Sequence, residues 1–290
     1  MPHSFQAIGT HWQIDLPETL APERRERLLL AIRARITEFE SVYSRFDSAS
    51  LVSRIAREAG TFTFPPDAAP LFAMYRKFSE FTAGAFTPLI GQVLVDAGYD
   101  AAYSLTPKPL IRAPKAWDEV MTWNAPVLTT REPVQLDFGA AGKGYLVDLV
   151  GEMLEADGVH DYCVDAGGDI RYRSSVRAPL RVGLENPAHT KQVIGIVALG
   201  NMSLCGSAGN RRAWAGYHHT INPHTLASPK HLQAVWVVAG ATLLADALTT
   251  ALQFVSASEL RLAFDFEYLL LREDFSVEHS SGFPAELFTA

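Results

Sequence analysis

Residues 161–239 hold five strand-like runs, DYCVDA (161–166), LRVGL (180–184), VIGIVAL (193–199), YHHTIN (217–222) and AVWVVA (234–239), with no helical period between them. Strands that follow one another without intervening helices pair antiparallel through short connections, whereas a doubly wound parallel sheet needs a helix after each strand. The expected fold class is therefore α+β, with largely antiparallel sheets packed against helices.

The flanks supply the helices. On the N-terminal side, residues 144–156 place Leu146, Leu149, Val150 and Met153 on one face and end at Asp157-Gly158, a common helix stop. After the strand region, residues 242–255 read as a last helix carrying DALTTAL, and FEYLLLR (266–272) as a final strand. Further upstream, QAIGTHWQIDL (6–16) alternates like one opening strand. From Pro22 a helix follows with Leu29, Ile32, Ile36, Phe39 and Tyr43 on one face. A second helix, with Asp67 as its expected N-cap, carries Leu71, Met74, Tyr75, Phe78 and Phe81. A hairpin is expected within TWNAPVLTTREPVQLDF (122–138). Residues 1–290 are read as one domain. If it divides into two lobes, the seam falls in the Pro-rich stretch 107–126.

Composition narrows the function classes. Hydrophobic residues make up 48% of the chain, enough for a sizeable core. The balance of 25 basic against 32 acidic side chains gives −7, and no basic stripe is present to track a nucleic-acid backbone. The N-terminus has neither a basic n-region nor a continuous apolar segment, so a cytoplasmic chain without a membrane anchor is expected. Cys163 and Cys205 lack metal-ligand spacing and read as buried free thiols.

Four segments could carry chemistry. In LDFGAAGKGYLVD (136–148) a strand ends in small residues where a helix begins, leaving free N–H groups and the positive end of the helix dipole beside Lys143. That arrangement suits an anion. An ordinary glycine-rich turn with a solvated lysine fits the same residues equally well. Asp246 and Thr250 stand one helical turn apart, and hard oxygen ligands of this kind suit Mg²⁺. A packing pair explains them too, although the apolar neighbours Leu243, Ala247 and Ala251 would leave a buried carboxylate in need of a partner. In VDAGGDI (164–170), Gly167-Gly168 permit close backbone approach by a ligand or simply form a turn. NMSLCGSAGNRR (201–212) reads as a loop rich in hydroxyls and glycine before YHHTIN, where His219 offers proton transfer or a structural role.

Taken in order, IGT (8–10), SRFDSASLVSRI (44–55), TAGAFTP (82–88), LDFGAAGKGYLVD, VDAGGDI, HTINPHT (219–225) and ADALTTAL (245–252) resemble the FAD:protein FMN transferase (ApbE) family. The resemblance implies a T-fold-related architecture. It also implies an enzyme that splits the pyrophosphate of FAD, passes FMN to a Ser or Thr hydroxyl of an acceptor flavoprotein and releases AMP. By the same resemblance, Mg²⁺ would be held by the main-chain carbonyl of Ala140 and the side chains of Asp246 and Thr250. Flavin-nucleotide contacts would come from Ile8, Phe46, Ala85, Phe86, Thr87, Asp137 and Lys143, with Gly167 and Gly168 close by. Lys143 would offset phosphoryl charge, and His219, at the histidine of the family's HxxDP motif, would accept the acceptor's proton.

Several positions depart from the family's pattern. Thr87 and Asn222 stand where Asp is usual, Ala56 and Asp165 where Asn is usual, Leu226 where Gly is usual, and Ser207-Ala208 replace a Ser-Gly pair. Two other readings stay open on these grounds: an FAD pyrophosphatase giving FMN and AMP, and an FAD-binding protein without turnover.

Overall fold

The computed structural model describes residues 2–288 apart from 177, and for Arg211 the backbone alone. Strands β1 (His3–Ala7) and β2 (Thr10–Asp15) lead into helix α1 (Pro22–Tyr43), the short α2 (Leu51–Ile55), β3 (Gly60–Thr63) and α3 (Ala69–Phe81). Then come α4 (Gly91–Asp96), α5 (Trp117–Val120), the hairpin β4 (Met121–Asn124) and β5 (Val127–Thr130), and α6 (Gly142–Ala156). The β-rich stretch comprises β6 (Tyr162–Ala166), β7 (Ile170–Arg173), β8 (Leu180–Asn186), β9 (His189–Leu199), β10 (Ser203–Ala208), β11 (Ala213–Trp214), β12 (Tyr217–His218) and β13 (Leu232–Ala239). The chain closes with α7 (Thr242–Ala251), α8 (Ala257–Leu260), β14 (Glu267–Arg272), β15 (Val277–His279) and β16 (Ala285–Leu287).

Eight strands form the main sheet in the order β1-β2-β6-β7-β10-β13-β14-β15, and every neighbouring pair is antiparallel. The expected α+β class with antiparallel sheets is thus the observed one. The sheet is covered on both faces, as its alternation shows. Val164, Cys205, Val235, Val237 and Leu270 point toward the helices α1, α3, α6 and α7. Their neighbours Cys163, Leu204, Trp236, Val238, Leu269 and Leu271 point the other way, toward Leu184, Val197 and Leu199 of β8 and β9. Side chains alternate along a strand, so covering both faces demands an almost continuous apolar run such as that of β13. Strands β16, β9 and β8 make this second layer, and β3, β5 and β4 a small third sheet. Both cysteines are buried free thiols.

The structure corrects five local expectations. The opening segment is not one strand but a hairpin, because Ile8 (φ 44°) and Gly9 (φ 69°) both adopt left-handed backbone and close a two-residue turn. A β-branched residue rarely takes that conformation, which hides the turn in the sequence. Asp67 does not cap α3; it lies in a 3-10 turn, Pro66–Ala68, and pairs with Arg35 of α1. The supposed loop 203–208 is β10, central in the main sheet, where Leu204 and Cys205 serve opposite faces. His219 lies just outside β12, since only Tyr217–His218 is paired. The last helix also ends at Ala251, short of the expected 255.

Candidate functional site

One cleft of about 600 Å³ opens between the start of α6, the turns of the main sheet and strand β8. Its lining brings together Phe46, Ala85, Phe86, Thr87, Asp137, Ala140, Lys143, Gly167, Gly168, His219, Asp246 and Thr250. Ile8 and Ala56 are not among the lining residues; at the hairpin turn the wall is made by Gly9 and Thr10 instead. The Ile8 N–H is turned to Glu40 Oε1 at 3.1 Å, a bond that ties the turn to α1.

At one end of the cleft, α6 and α7 lie in close contact through Gly144, whose N–H donates to Asp246 Oδ2 at 2.8 Å. Ala141, preceding α6, offers no side-chain cap; the Gly142 N–H bonds the Phe138 carbonyl at 2.7 Å and that of Gly144 bonds Asp246, so among the described groups of the first turn the Lys143 N–H is the one left open to an anion. Lys143 forms an ion pair with Asp169. The Asp169 carboxyl also faces Asp246 closely enough for their charges to interact. Asp169 and Asp246 are only 1% and 7% exposed. Burial, followed by the facing Asp169 charge, pushes the Asp246 carboxyl well above the usual range. Burial disfavours charge on Lys143 as well, yet Asp169 and Asp246 together hold it protonated.

Two buried carboxylates facing one ammonium leave a negative charge uncompensated, and that is the condition a hard cation relieves. Among the described residues no group of three or more His, Cys, Asp or Glu is arranged to hold a metal. A cation here would therefore draw on carboxylate, hydroxyl and main-chain oxygen, the donor set of Mg²⁺. Thr249 and Thr250 both line the cleft, and the Thr249 hydroxyl is committed to the Asp246 carbonyl at 2.8 Å. Ala140 is positioned by its N–H bond to Tyr75 Oη at 3.2 Å.

Asp169 was in view in the sequence only as one of the acids flanking Gly167-Gly168. Its signal was its place, directly after a turn whose glycines both have positive φ (63° and 98°). Asp165, the other acid, accepts the Gly168 N–H at 2.8 Å and so fixes the turn. The sequence shows Tyr75 only on the apolar face of its helix, because its bond to Ala140 joins elements distant in the chain.

The other end of the cleft is aromatic and cationic. The Phe46 ring stacks on Tyr103 (5.2 Å, 15°) and meets Tyr99 edge-on. The Arg45 guanidinium lies 4.2 Å from the Phe46 ring centre. Arg45 also pairs with Asp137 and donates to the Tyr99 carbonyl at 2.7 Å. His219 completes the lining with an Nδ1 that has no hydrogen-bond partner. Burial, then the nearby Arg212 charge, lowers its pKa to about 3, so the imidazole is neutral.

Three of the departures have local backbone roles. Thr87 Oγ1 accepts from Leu89 N at 3.2 Å as an N-cap, a task open to Asp as well. Asn222 Oδ1 accepts from the N–H groups of His224 (2.8 Å) and Thr225 (3.3 Å), again as Asp would. Leu226 holds φ 55°, the left-handed conformation that explains a glycine at this position. The loop containing them is fastened to the TAGAF turn by His224 Nε2 and the Ala83 carbonyl, 3.1 Å apart.

Comparisons with known proteins give the chain's family and fold. The chain is 29% identical over 266 residues to an FAD:protein FMN transferase of Rhodobacter capsulatus, a match covering 86% of this chain and 50% of that relative. The chain thus spans about half the length of that relative. It is also 29% identical over 276 residues to an FAD:protein FMN transferase of Treponema pallidum, covering 84% and 74%. Among solved structures, the flavin transferase ApbE of Vibrio cholerae superposes with a TM-score of 0.80 at 20% identity, covering 98% and 97% of the two chains. The ApbE protein of Thermotoga maritima does so with a TM-score of 0.80 at 22% identity, covering 99% of each. No helix among the described residues is long and apolar enough to cross a membrane. The ApbE family profile matches residues 8–266, and on that match the chain belongs to the ApbE family.

Proposed function

We propose that this protein transfers FMN from FAD to a Ser or Thr hydroxyl of an acceptor protein, with Mg²⁺, releasing AMP. Relatives named FAD:protein FMN transferase support the transfer of FMN from FAD to a protein; the Ser or Thr target, Mg²⁺ and AMP release are what the family resemblance adds. The observation that carries it to this chain is the meeting of Lys143, Asp169 and Asp246 at the start of α6, inside a cleft large enough for a nucleotide.

The residues divide the work by position. The Lys143 ammonium, with the positive end of the α6 dipole, would face the pyrophosphate, where it offsets the charge that spreads over a transferring phosphoryl group. Asp246, Thr250 and the Ala140 carbonyl would hold Mg²⁺, which supplies further charge neutralisation on the phosphate oxygens. The aromatic end, Phe46 with Tyr99, offers stacking surface for a flat ring. In the transfer, the acceptor oxygen bonds to the phosphorus of the FMN half while the bridging P–O bond to AMP breaks. His219, which lines the same cleft, would take the hydroxyl proton. Its low pKa makes it a weak base, and a negative pyrophosphate bound in the same cleft would raise that basicity. A catalyst handing off a proton this way needs the neutral imidazole found here.

Incubation with FAD, Mg²⁺ and a Thr-containing acceptor should raise the acceptor mass by one FMN. Saturating FAD with no mass gain would end this reading. FMN and AMP released in full without an acceptor would favour hydrolysis instead, and intact FAD recovered after tight binding would favour a protein without turnover.

A further inference from the structure

We propose that Tyr75 is a positioning residue of the cation site: its buried hydroxyl holds the backbone at residues 140–141 so that the Ala140 carbonyl stays unbonded and turned to the cleft. This rests on the flavin-transfer reading above and on the Mg²⁺ that the reading uses.

The N–H groups that lead into α6 all have partners. That of Ala140 donates to Tyr75 Oη at 3.2 Å, and those of Ala141 and Gly142 donate to the Phe138 carbonyl at 3.3 and 2.7 Å. The Ala140 carbonyl differs. In a regular helix start it would accept from the N–H four residues on, that of Gly144. Gly144 donates instead to Asp246 Oδ2 at 2.8 Å, and among the described residues no other main-chain N–H bonds the Ala140 carbonyl. The next carbonyl, of Ala141, keeps its regular partner, the Tyr145 N–H at 3.0 Å. One carbonyl is thus left out of the helical ladder because a carboxylate on α7 has taken its donor.

Its direction follows from the backbone. The Ala140–Ala141 peptide is trans, so the Ala140 carbonyl and the Ala141 N–H point to opposite sides. The Ala141 N–H is turned to the Phe138 carbonyl and also acts on the Tyr75 oxygen, in a region where Tyr75 and Ala141 are wholly buried. The carbonyl therefore points away from the core, and Ala140 lines the cleft with Asp246 and Thr250. Tyr75 is fixed in turn by the rings of Phe86 at 5.0 Å and Phe138 at 5.2 Å, the second met edge-on. Burial keeps water from competing for its oxygen. A ligand oxygen oriented in advance spares a cation the cost of ordering it, and groups that orient ligands tune metal affinity strongly. Tyr75 would act on cation affinity and leave the chemical step alone.

Tyr75→Phe removes the hydroxyl and keeps the ring between Phe86 and Phe138. Tyr145→Phe removes another buried hydroxyl, one bonded to the Asp67 carbonyl, and controls for loss of stability alone. Mg²⁺ titrated calorimetrically into each folded protein, without FAD or acceptor, should show a dissociation constant raised about tenfold in Tyr75→Phe and unchanged in Tyr145→Phe. The Mg²⁺ dependence of FMN transfer should move by the same factor in Tyr75→Phe, with kcat and the KM for FAD restored at saturating Mg²⁺. Wild-type Mg²⁺ affinity in Tyr75→Phe, an equal loss in both variants, or a kcat that saturating Mg²⁺ does not restore would overturn the proposal. In the wild-type protein the Ala140 amide should exchange with deuterium as slowly as the interior of α6; fast exchange would overturn it whatever the variants do. The expected shift in Mg²⁺ affinity, found in a protein that transfers no FMN, would retain the role of Tyr75 and reject the transferase reading.

Discussion

The carboxylate of Asp148 on α6 caps α7 from outside, accepting the Leu243 N–H at 2.8 Å, and its other oxygen takes the neighbouring Thr242 N–H at 3.0 Å. Helix α7 has no side-chain cap of its own at Ala241, so its first turn depends on this reach between helices. Asp148 is itself held by Arg171 at 2.7 Å, and all of these groups are buried. Asp148→Ala leaves two N–H groups and much of the Arg171 charge without a partner, which should cost about 3–5 kcal/mol in urea unfolding. Asp148→Asn keeps an acceptor oxygen and should cost less. A loss under about 1 kcal/mol for the Ala variant would show that α7 is held elsewhere.

Gly144 sets how closely the two helices approach. A Cβ there would stand 2.4 Å from the Thr242 carbonyl oxygen and 2.6 Å from the Asp246 Cβ, so backbone must shift to admit it. Gly144→Ala should destabilise by about 1–3 kcal/mol and depress transfer further than the folded fraction explains, because the shift moves Asp246 relative to Lys143. Gly200→Ala, where no heavy atom lies within 4 Å, is the matched control and should leave both properties near wild type. Equal thermal stability and activity in the two variants would refute the tight contact.

How far the site could be read from sequence follows from where its information lies. The period of α6 and the Asp246–Thr250 spacing on α7 are local, and the helices form where that period predicts. The capping of α7 by Asp148, the Tyr75 bond to Ala140 and the Asp169 contact with Lys143 join residues far apart in the chain. No periodicity records such pairs. Strand β10 was missed for another reason: Ser203, Gly206 and Ser207 resemble loop composition, and only its place between β7 and β13 explains why such residues are paired. The opening hairpin was missed because Ile8 occupies a backbone conformation that its side chain disfavours.

Asp96 at the end of α4 is fully buried and receives Arg112 Nε at 2.9 Å, Lys108 Nζ at 3.0 Å and Gln92 Nε2 at 2.8 Å. Burial pushes its carboxyl up, but the bonds from Arg112 and Lys108 outweigh that and hold it well below the usual range. A carboxylate depressed on folding stabilises above its unfolded value of about 3.9 and loses that contribution as pH falls toward the folded value. Asp96→Asn should therefore cost about 1.5–3 kcal/mol at neutral pH, and its deficit against wild type should shrink below about pH 4. The bonds also pin the segment that carries Tyr103 onto Phe46, so the variant should bind FAD more weakly in a fluorescence titration. A deficit that stays constant from pH 7 to pH 3 would contradict this account.

Asp246 puts stability and function in opposition. Its carboxyl is pushed up by burial and by Asp169, so the folded state holds its proton more tightly than the unfolded one. Stability is then lost as pH rises past the ordinary carboxylate value, because keeping Asp246 protonated, or admitting its charge beside Asp169, costs free energy at neutral pH. Asp246→Asn removes that charge while its amide oxygen still accepts the Gly144 N–H, so the metal-free variant should melt above metal-free wild type, by a margin that vanishes near pH 4. Mg²⁺ should reverse the order. At a hundredfold excess over its dissociation constant it adds about 2.7 kcal/mol to a protein that binds it only when folded, and the variant should gain nothing. Transfer activity should be lost in the variant under all of these conditions. A wild-type melting temperature indifferent to Mg²⁺, or an Asn variant that still transfers FMN, would remove the cation from this site and leave Lys143 as the charge that balances Asp169 and Asp246.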